Sequence, residues 1–87
     1  MMAEETNERP GRTPSAYTDE DRTSAIERLN DEARLVMEIR DASVLLDLAV
    51  STAYILARKG QLPGAFKVGD HWKVNRPMLK DFLYAAN

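Results

Sequence analysis

The first half of the chain alternates apolar and charged positions with the period of a helix. The apolar positions are Ile26, Leu29, Ala33, Val36, Met37 and Val44. Residues three and four apart share a helix face, so this pattern predicts an amphipathic helix over residues 19–38. Thr18 begins it, because its hydroxyl can accept from the third amide along while the Asp21 carboxylate returns to the Thr18 amide. The apolar stripe can pack on the rest of the domain or on a second copy of the chain, and the pattern favours neither.

Two shorter helices follow, separated by a tight connection at Asp47-Leu48. The pattern predicts the first over residues 41–46 and the second over about 49–59. Gly60 ends the second helix, because glycine readily adopts the left-handed backbone conformation that closes a helix.

Residues 66–74 alternate apolar and polar side chains around a Gly69-Asp70 step, which is typical of a β-hairpin. We expect a three-residue loop over 69–71, because it places all four apolar side chains on one face. These side chains are Phe66, Val68, Trp72 and Val74. The same register sets Lys67 opposite Lys73, where like charges are mildly destabilising unless an anion lies between them.

A last helix follows the hairpin, with Asn75 as its cap and Pro77 in its first turn. The predicted fold class is mostly α with a small β-hairpin wing (α+β), a winged helix-turn-helix with an extra N-terminal amphipathic helix. We divide the chain into a disordered tail over residues 1–15, the amphipathic N-terminal helix over 16–38 and a winged helix-turn-helix domain over 39–87.

Composition removes several classes of function. The chain has no cysteine and a single histidine, which excludes a disulfide framework, a thiolate zinc site and a multi-histidine metal site. No glycine-rich phosphate loop, nucleophile motif or paired carboxylates stand out, so we predict no catalytic residue, no cofactor and no metal. No apolar run is long enough to cross a membrane and no signal peptide is evident, so we expect a cytoplasmic, nucleoid-associated protein without a membrane partner.

Charge is distributed unevenly along the chain, although the net charge is only −2. Residues 1–49 carry six basic and twelve acidic side chains, whereas residues 50–87 carry six basic and two acidic ones. This asymmetry is typical of a basic face that binds a polyanion beside an acidic arm. Two ordinary solvated surfaces would give the same counts, so charge alone leaves both interpretations open.

The second half of the chain resembles the small MerR-like winged helix-turn-helix domains of phage and prophage excisionases, also called recombination directionality factors. The resemblance covers about residues 37–84. It is carried by five segments, Ser51-Thr52-Ala53-Tyr54, Arg58-Lys59-Gly60-Gln61-Leu62-Pro63, Phe66-Lys67-Val68-Gly69, Trp72-Lys73-Val74 and residues 79–83. In that family the second helix of the motif enters the major groove of DNA and the wing contacts the adjacent backbone or minor groove.

The resemblance implies a set of DNA-binding residues. They are Ser51, Thr52 and Tyr54 on the groove-facing side of the helix, Arg58 and Lys59 at its end, and Lys67, His71 and Lys73 in the wing. The chain departs from the family at Ala49, where a polar cap is common, and at Val50 and Ile55, where polar base readers are common. Apolar side chains at these two positions can touch a thymine methyl but cannot form the bidentate arginine–guanine contact.

The resulting prediction is a DNA-binding protein of excisionase type that binds and bends double-stranded DNA and assists an integrase in prophage excision. The first alternative is a small transcriptional regulator, a repressor with no integrase partner. The second is a protein-interaction module in which the helix over 19–38, with Val50 and Ile55, docks a partner or a second copy. Self-association through that helix, or side by side on DNA, is compatible with either DNA-binding role.

Overall fold

The computed structural model describes residues 17–85, so the predicted disordered tail over 1–15 lies outside the described residues. The described part is α+β, as predicted, with four helices and a small three-stranded antiparallel sheet. In chain order the elements are α1 (Asp19–Leu29), β1 (Val36–Glu38), α2 (Ile39–Leu46), α3 (Val50–Arg58), β2 (Ala65–Val68), β3 (His71–Asn75) and α4 (Arg76–Ala85).

The start of α1 confirms the predicted capping pair. The Thr18 hydroxyl accepts from the Asp21 amide at 3.0 Å, and the Asp21 carboxylate accepts from the Thr18 amide at 3.0 Å. The bond from the Thr18 amide lowers the pKa of Asp21, because it favours the ionised carboxylate. Local polar residues therefore determine where this helix begins.

The end of α1 differs from the prediction of one helix over residues 19–38, which is wrong. The helix ends at Leu29, and Asn30 closes it with a side-chain amide that donates to the Ile26 carbonyl at 3.1 Å. Asp31 then accepts from the Ala33 amide at 3.1 Å, the self-bonded turn that asparagine and aspartate favour. These polar side chains offer the backbone an alternative to further helical hydrogen bonds.

The chain after this turn forms a strand that the sequence pattern did not predict. β1 pairs antiparallel with β3, with Met37 opposite Val74 and Glu38 opposite Lys73. Met37 and Val74 are almost completely buried, so the apolar residues assigned to a helical stripe instead close the sheet over the core. The strand order is β1-β3-β2.

The connection between α2 and α3 is as tight as predicted. Asp47 adopts a left-handed conformation with φ of 58°, and the Leu48 amide donates to the Ser43 carbonyl at 2.9 Å. The hydroxyl of Tyr17 donates to the Leu48 carbonyl at 2.6 Å and so ties the entry of α1 to this turn. Gly60, with φ of 73°, follows the end of α3 as expected.

The hairpin forms, but its predicted register is wrong. β2 and β3 are joined by a two-residue loop, with Lys67 opposite Trp72 and Phe66 opposite Lys73. Gly69 has φ of 59°, and a glycine with positive φ at the first loop position is favoured in two-residue hairpins. The two lysines therefore lie on opposite faces of the hairpin, and no like-charge pair exists between them.

The hydrophobic core lies between the helices and the inner face of the sheet. Its buried residues are Leu29, Met37, Ile39, Ala42, Ala53, Ala57, Leu62, Val74 and Leu79.

Polar side chains tie the helices to the rest of the fold. α1 is joined to α2 by Arg28, whose Nε and Nη2 donate to Asp41 Oδ1 at 2.9 and 2.7 Å. This contact raises the pKa of Arg28. At the other end of the domain, Asn75 caps α4 as predicted, accepting from the Met78 amide at 2.9 Å.

Candidate functional site

The outward side of α3 combines small, apolar and basic side chains. Ser51, Ile55 and Arg58 are exposed and lie about one turn apart, and Lys59 is exposed at the end of the helix. α3 contains no acidic residue, although the chain has fourteen. The N-cap residue, Ala49, has no side chain that could bond the first amides of α3. Because α3 carries no carboxylate, an anion that approaches this surface is not repelled by the helix itself.

Two of the predicted residues on α3 are less available than the resemblance implied. Thr52 and Tyr54 are half-buried, and the ring of Tyr54 packs against the hydrophobic core. The Tyr54 side chain therefore has a packing role, and only part of its surface faces outward. Val50 is also half-buried, whereas 43 % of Ile55 is exposed.

The hairpin presents its two lysines to different surroundings. Lys67 is exposed, and its ammonium lies 5.8 Å from the centroid of the Trp72 ring, within the range of a cation–π contact. Lys73 lies on the opposite face, where its Nζ is 2.9 Å from Glu38 Oε2. Lys67 has no carboxylate beside it in these contacts, whereas the Glu38 carboxylate partly offsets the charge of Lys73. The like-charge repulsion predicted between these two lysines is therefore absent.

His71 is exposed and pairs with Val68 beside the hairpin loop. It shares the face of Phe66 and Lys73, because side chains two apart on a strand, and directly opposed ones, lie on one face. The eight predicted residues therefore fall into three groups. The first lies on α3 or directly after it and contains Ser51, Thr52, Tyr54, Arg58 and Lys59. Lys67 lies on one face of the hairpin, and His71 and Lys73 lie on the other.

Glu38 is the residue that sequence reasoning missed at this site. It reaches Lys73 only because β1 is paired with β3, whereas the sequence pattern predicts a helix over residues 36–38. The sequence does contain one signal for a strand, which is the short apolar run Leu35-Val36-Met37 after the turn residues Asn30-Asp31.

An apolar groove of about 670 Å³ is a second feature that the pattern did not indicate. Phe66, Met78 and Phe82 line it and are partly exposed, together with the loop over residues 60–64. None of its lining residues is charged, so it is chemically distinct from the basic end of α3. The predicted hairpin register gives no indication of this groove, because it places Phe66 on the inner face of the hairpin.

Comparison of the chain with family models, with curated proteins and with solved structures found no match. The resemblance to the excisionase group therefore stays a prediction. Among residues 17–85, no group of three or more histidine, cysteine, aspartate or glutamate side chains is placed to hold a metal ion. In the same part of the chain, no helix has the length and apolar character needed to cross a membrane.

Proposed function

We propose that the protein binds double-stranded DNA through a winged helix-turn-helix, with α3 in the major groove and the β2–β3 hairpin as the wing. The observation that carries this proposal is the acid-free outward side of α3, which ends in Arg58 and Lys59. The tight α2–α3 connection and the hairpin that follows α3 support it. Basic side chains at such positions bond phosphate oxygens and set the register of a protein on the duplex.

The corrected register changes how the wing contributes. Lys67 is the wing cation that can contact phosphate without first breaking an ion pair. The charge of Lys73 is partly offset by the Glu38 carboxylate, which also repels phosphate, so Lys73 contributes less than Lys67. The proposal therefore assigns the main phosphate contacts to Arg58, Lys59 and Lys67.

Fluorescence anisotropy with labelled duplexes over a range of salt concentrations tests this assignment. The Arg58→Ala and Lys59→Ala double variant should weaken binding to all sequences, and the salt slope should become shallower by about 0.9 for each phosphate that the variant no longer neutralises. The Arg34→Ala variant is the matched control, because Arg34 is an exposed arginine on the loop before β1. Absence of binding to any duplex at low salt would refute the proposal.

We further propose the excisionase role, in which the protein bends DNA near an attachment site and assists an integrase. Its support is the resemblance of residues 37–84, since α3 alone suits a repressor equally well. A recombination assay with the integrase encoded nearest to the gene separates the two roles. Excision that proceeds at the same rate with and without the protein would refute the excisionase role.

The apolar groove favours a protein-interaction module as the second candidate function. The surface predicted for that role combined a helix over 19–38, which does not form, with Val50 and Ile55. Val50 is half-buried, and Ile55 is exposed. The groove between Phe66 and Phe82 is instead an exposed apolar surface that the fold provides. Sedimentation of the protein alone, compared with that of the Phe82→Ser variant, tests whether the groove supports self-association.

A further inference from the structure

Ile55 is an apolar side chain in the middle of a surface that is otherwise polar or basic. It lies one turn after Ser51 and just before Arg58 and Lys59, and 43 % of it is exposed. Val50, an apolar residue in the first turn of α3, is half-buried. The two residues are both apolar, but only Ile55 is exposed on the outward side of α3.

Single exposed apolar residues are common on protein surfaces and by themselves indicate nothing. Ile55 differs because of its neighbours: the two cations that follow it attract an anionic partner, and contact of its own side chain with an apolar group would bury apolar surface. The major groove of DNA offers both, since phosphates line its edges and the thymine 5-methyl group is its main apolar feature. The hydroxyl of Ser51, on the same side, bonds any base edge and adds little discrimination.

We propose that Ile55 is the specificity-determining residue of α3 and that it contacts a thymine methyl in the major groove. This inference rests on the DNA-binding function proposed above. Arg58 and Lys59 hold the backbone and fix the position of the helix, and Ile55 then favours thymine over bases that lack the methyl group. Because α3 places no arginine, asparagine or glutamine on this side before Arg58, the methyl contact is its principal means of direct readout.

The experiment begins with selection of a binding site from random duplexes, followed by replacement of each selected thymine with deoxyuracil. This replacement removes the methyl group and retains base pairing. At one position we expect the affinity of the wild-type protein to fall roughly three- to fivefold, the size of one buried methyl group. The Ile55→Ala variant should bind the thymine duplex more weakly by a similar factor and should be insensitive to deoxyuracil at that position.

Ile26→Ala is the matched control, because Ile26 is an isoleucine of similar exposure, 48 %, on the outward side of α1. It should retain the full sensitivity to deoxyuracil. Circular dichroism verifies that both variants fold, and alanine at position 55 suits a helix better than isoleucine does.

Two classes of result are distinguishable. Failure of the protein to bind any duplex overturns the proposed function and this inference with it. Two results would overturn the role of Ile55 alone. In the first, the protein binds DNA but its selected site contains no thymine. In the second, deoxyuracil substitution weakens binding of the wild type and of Ile55→Ala by the same factor. A weakening confined to the wild-type and Ile26→Ala proteins supports it.

Discussion

Replacement of Arg76 by methionine should strongly destabilise the domain. Arg76 is the first residue of α4, and only 6 % of it is exposed. Its Nη1 donates to the Leu29 carbonyl at 2.6 Å, and its Nε donates to the Arg34 carbonyl. One guanidinium thus joins the last residue of α1 and the loop before β1 to the start of α4.

The magnitude follows from these two hydrogen bonds. A bond from a charged donor contributes about 1.5–3 kcal/mol, and removal of the donor leaves two carbonyl groups without that partner. Methionine recovers part of the loss, because it fills similar space and needs no desolvation of a charge. We expect a net loss of about 2–4 kcal/mol, against a total stability of roughly 4–10 kcal/mol for a domain of this size.

Urea unfolding followed by circular dichroism at 222 nm measures the difference. Arg34→Met is the matched control, because it removes an exposed guanidinium but keeps the backbone carbonyl that Arg76 contacts. Arg76→Lys should give an intermediate stability, since an ammonium cannot span both carbonyls with the planar geometry of a guanidinium. A stability of Arg76→Met within about 0.5 kcal/mol of Arg34→Met would show that the two carbonyls are satisfied without the arginine.

Two further predictions concern the hairpin, under the proposed DNA-binding function, and Gly64 beside the groove. Glu38→Gln should raise affinity for DNA about two- to fivefold at low salt and steepen the salt slope by about 0.9, because Lys73 becomes available to phosphate; unchanged anisotropy curves would contradict this. Gly64→Ala should cost more than about 2 kcal/mol in urea unfolding, because φ is 79° and the new Cβ would lie 2.8 Å from the Asn75 carbonyl oxygen. Gly60→Ala is its control, with φ of 73° but no heavy atom within 4 Å, and should cost clearly less.

The elements that the sequence predicted correctly are those with local signals. Thr18 and Asp21 begin α1, Gly60 follows α3 and Asn75 caps α4, and in each case the deciding contact lies within a few residues. Helix boundaries of this kind depend on side chains that satisfy nearby backbone groups.

The parts that the sequence did not predict depend on contacts between distant residues. Met37 belongs to a strand because it meets Val74, and a three-residue strand is too short for its period to be told from that of a helix. The alternation of apolar residues favours a register that buries Phe66 with Val74, whereas the fold leaves Phe66 beside the groove. The ion pair of Lys73 could not be predicted for the same reason, since its partner is on β1.

The central position of β3 gives the two halves of the hairpin different mechanical properties. In the described sheet β3 is bonded to a strand on each side, whereas β2 is bonded to one strand only. Amides of β3 that are bonded to β1 or β2 should accordingly exchange with solvent more slowly than those of β2. Under the proposed function, Lys67 would therefore meet DNA from an edge strand that is bonded on one side only. Lys73 lies instead on the central strand, which packs into the core through Val74.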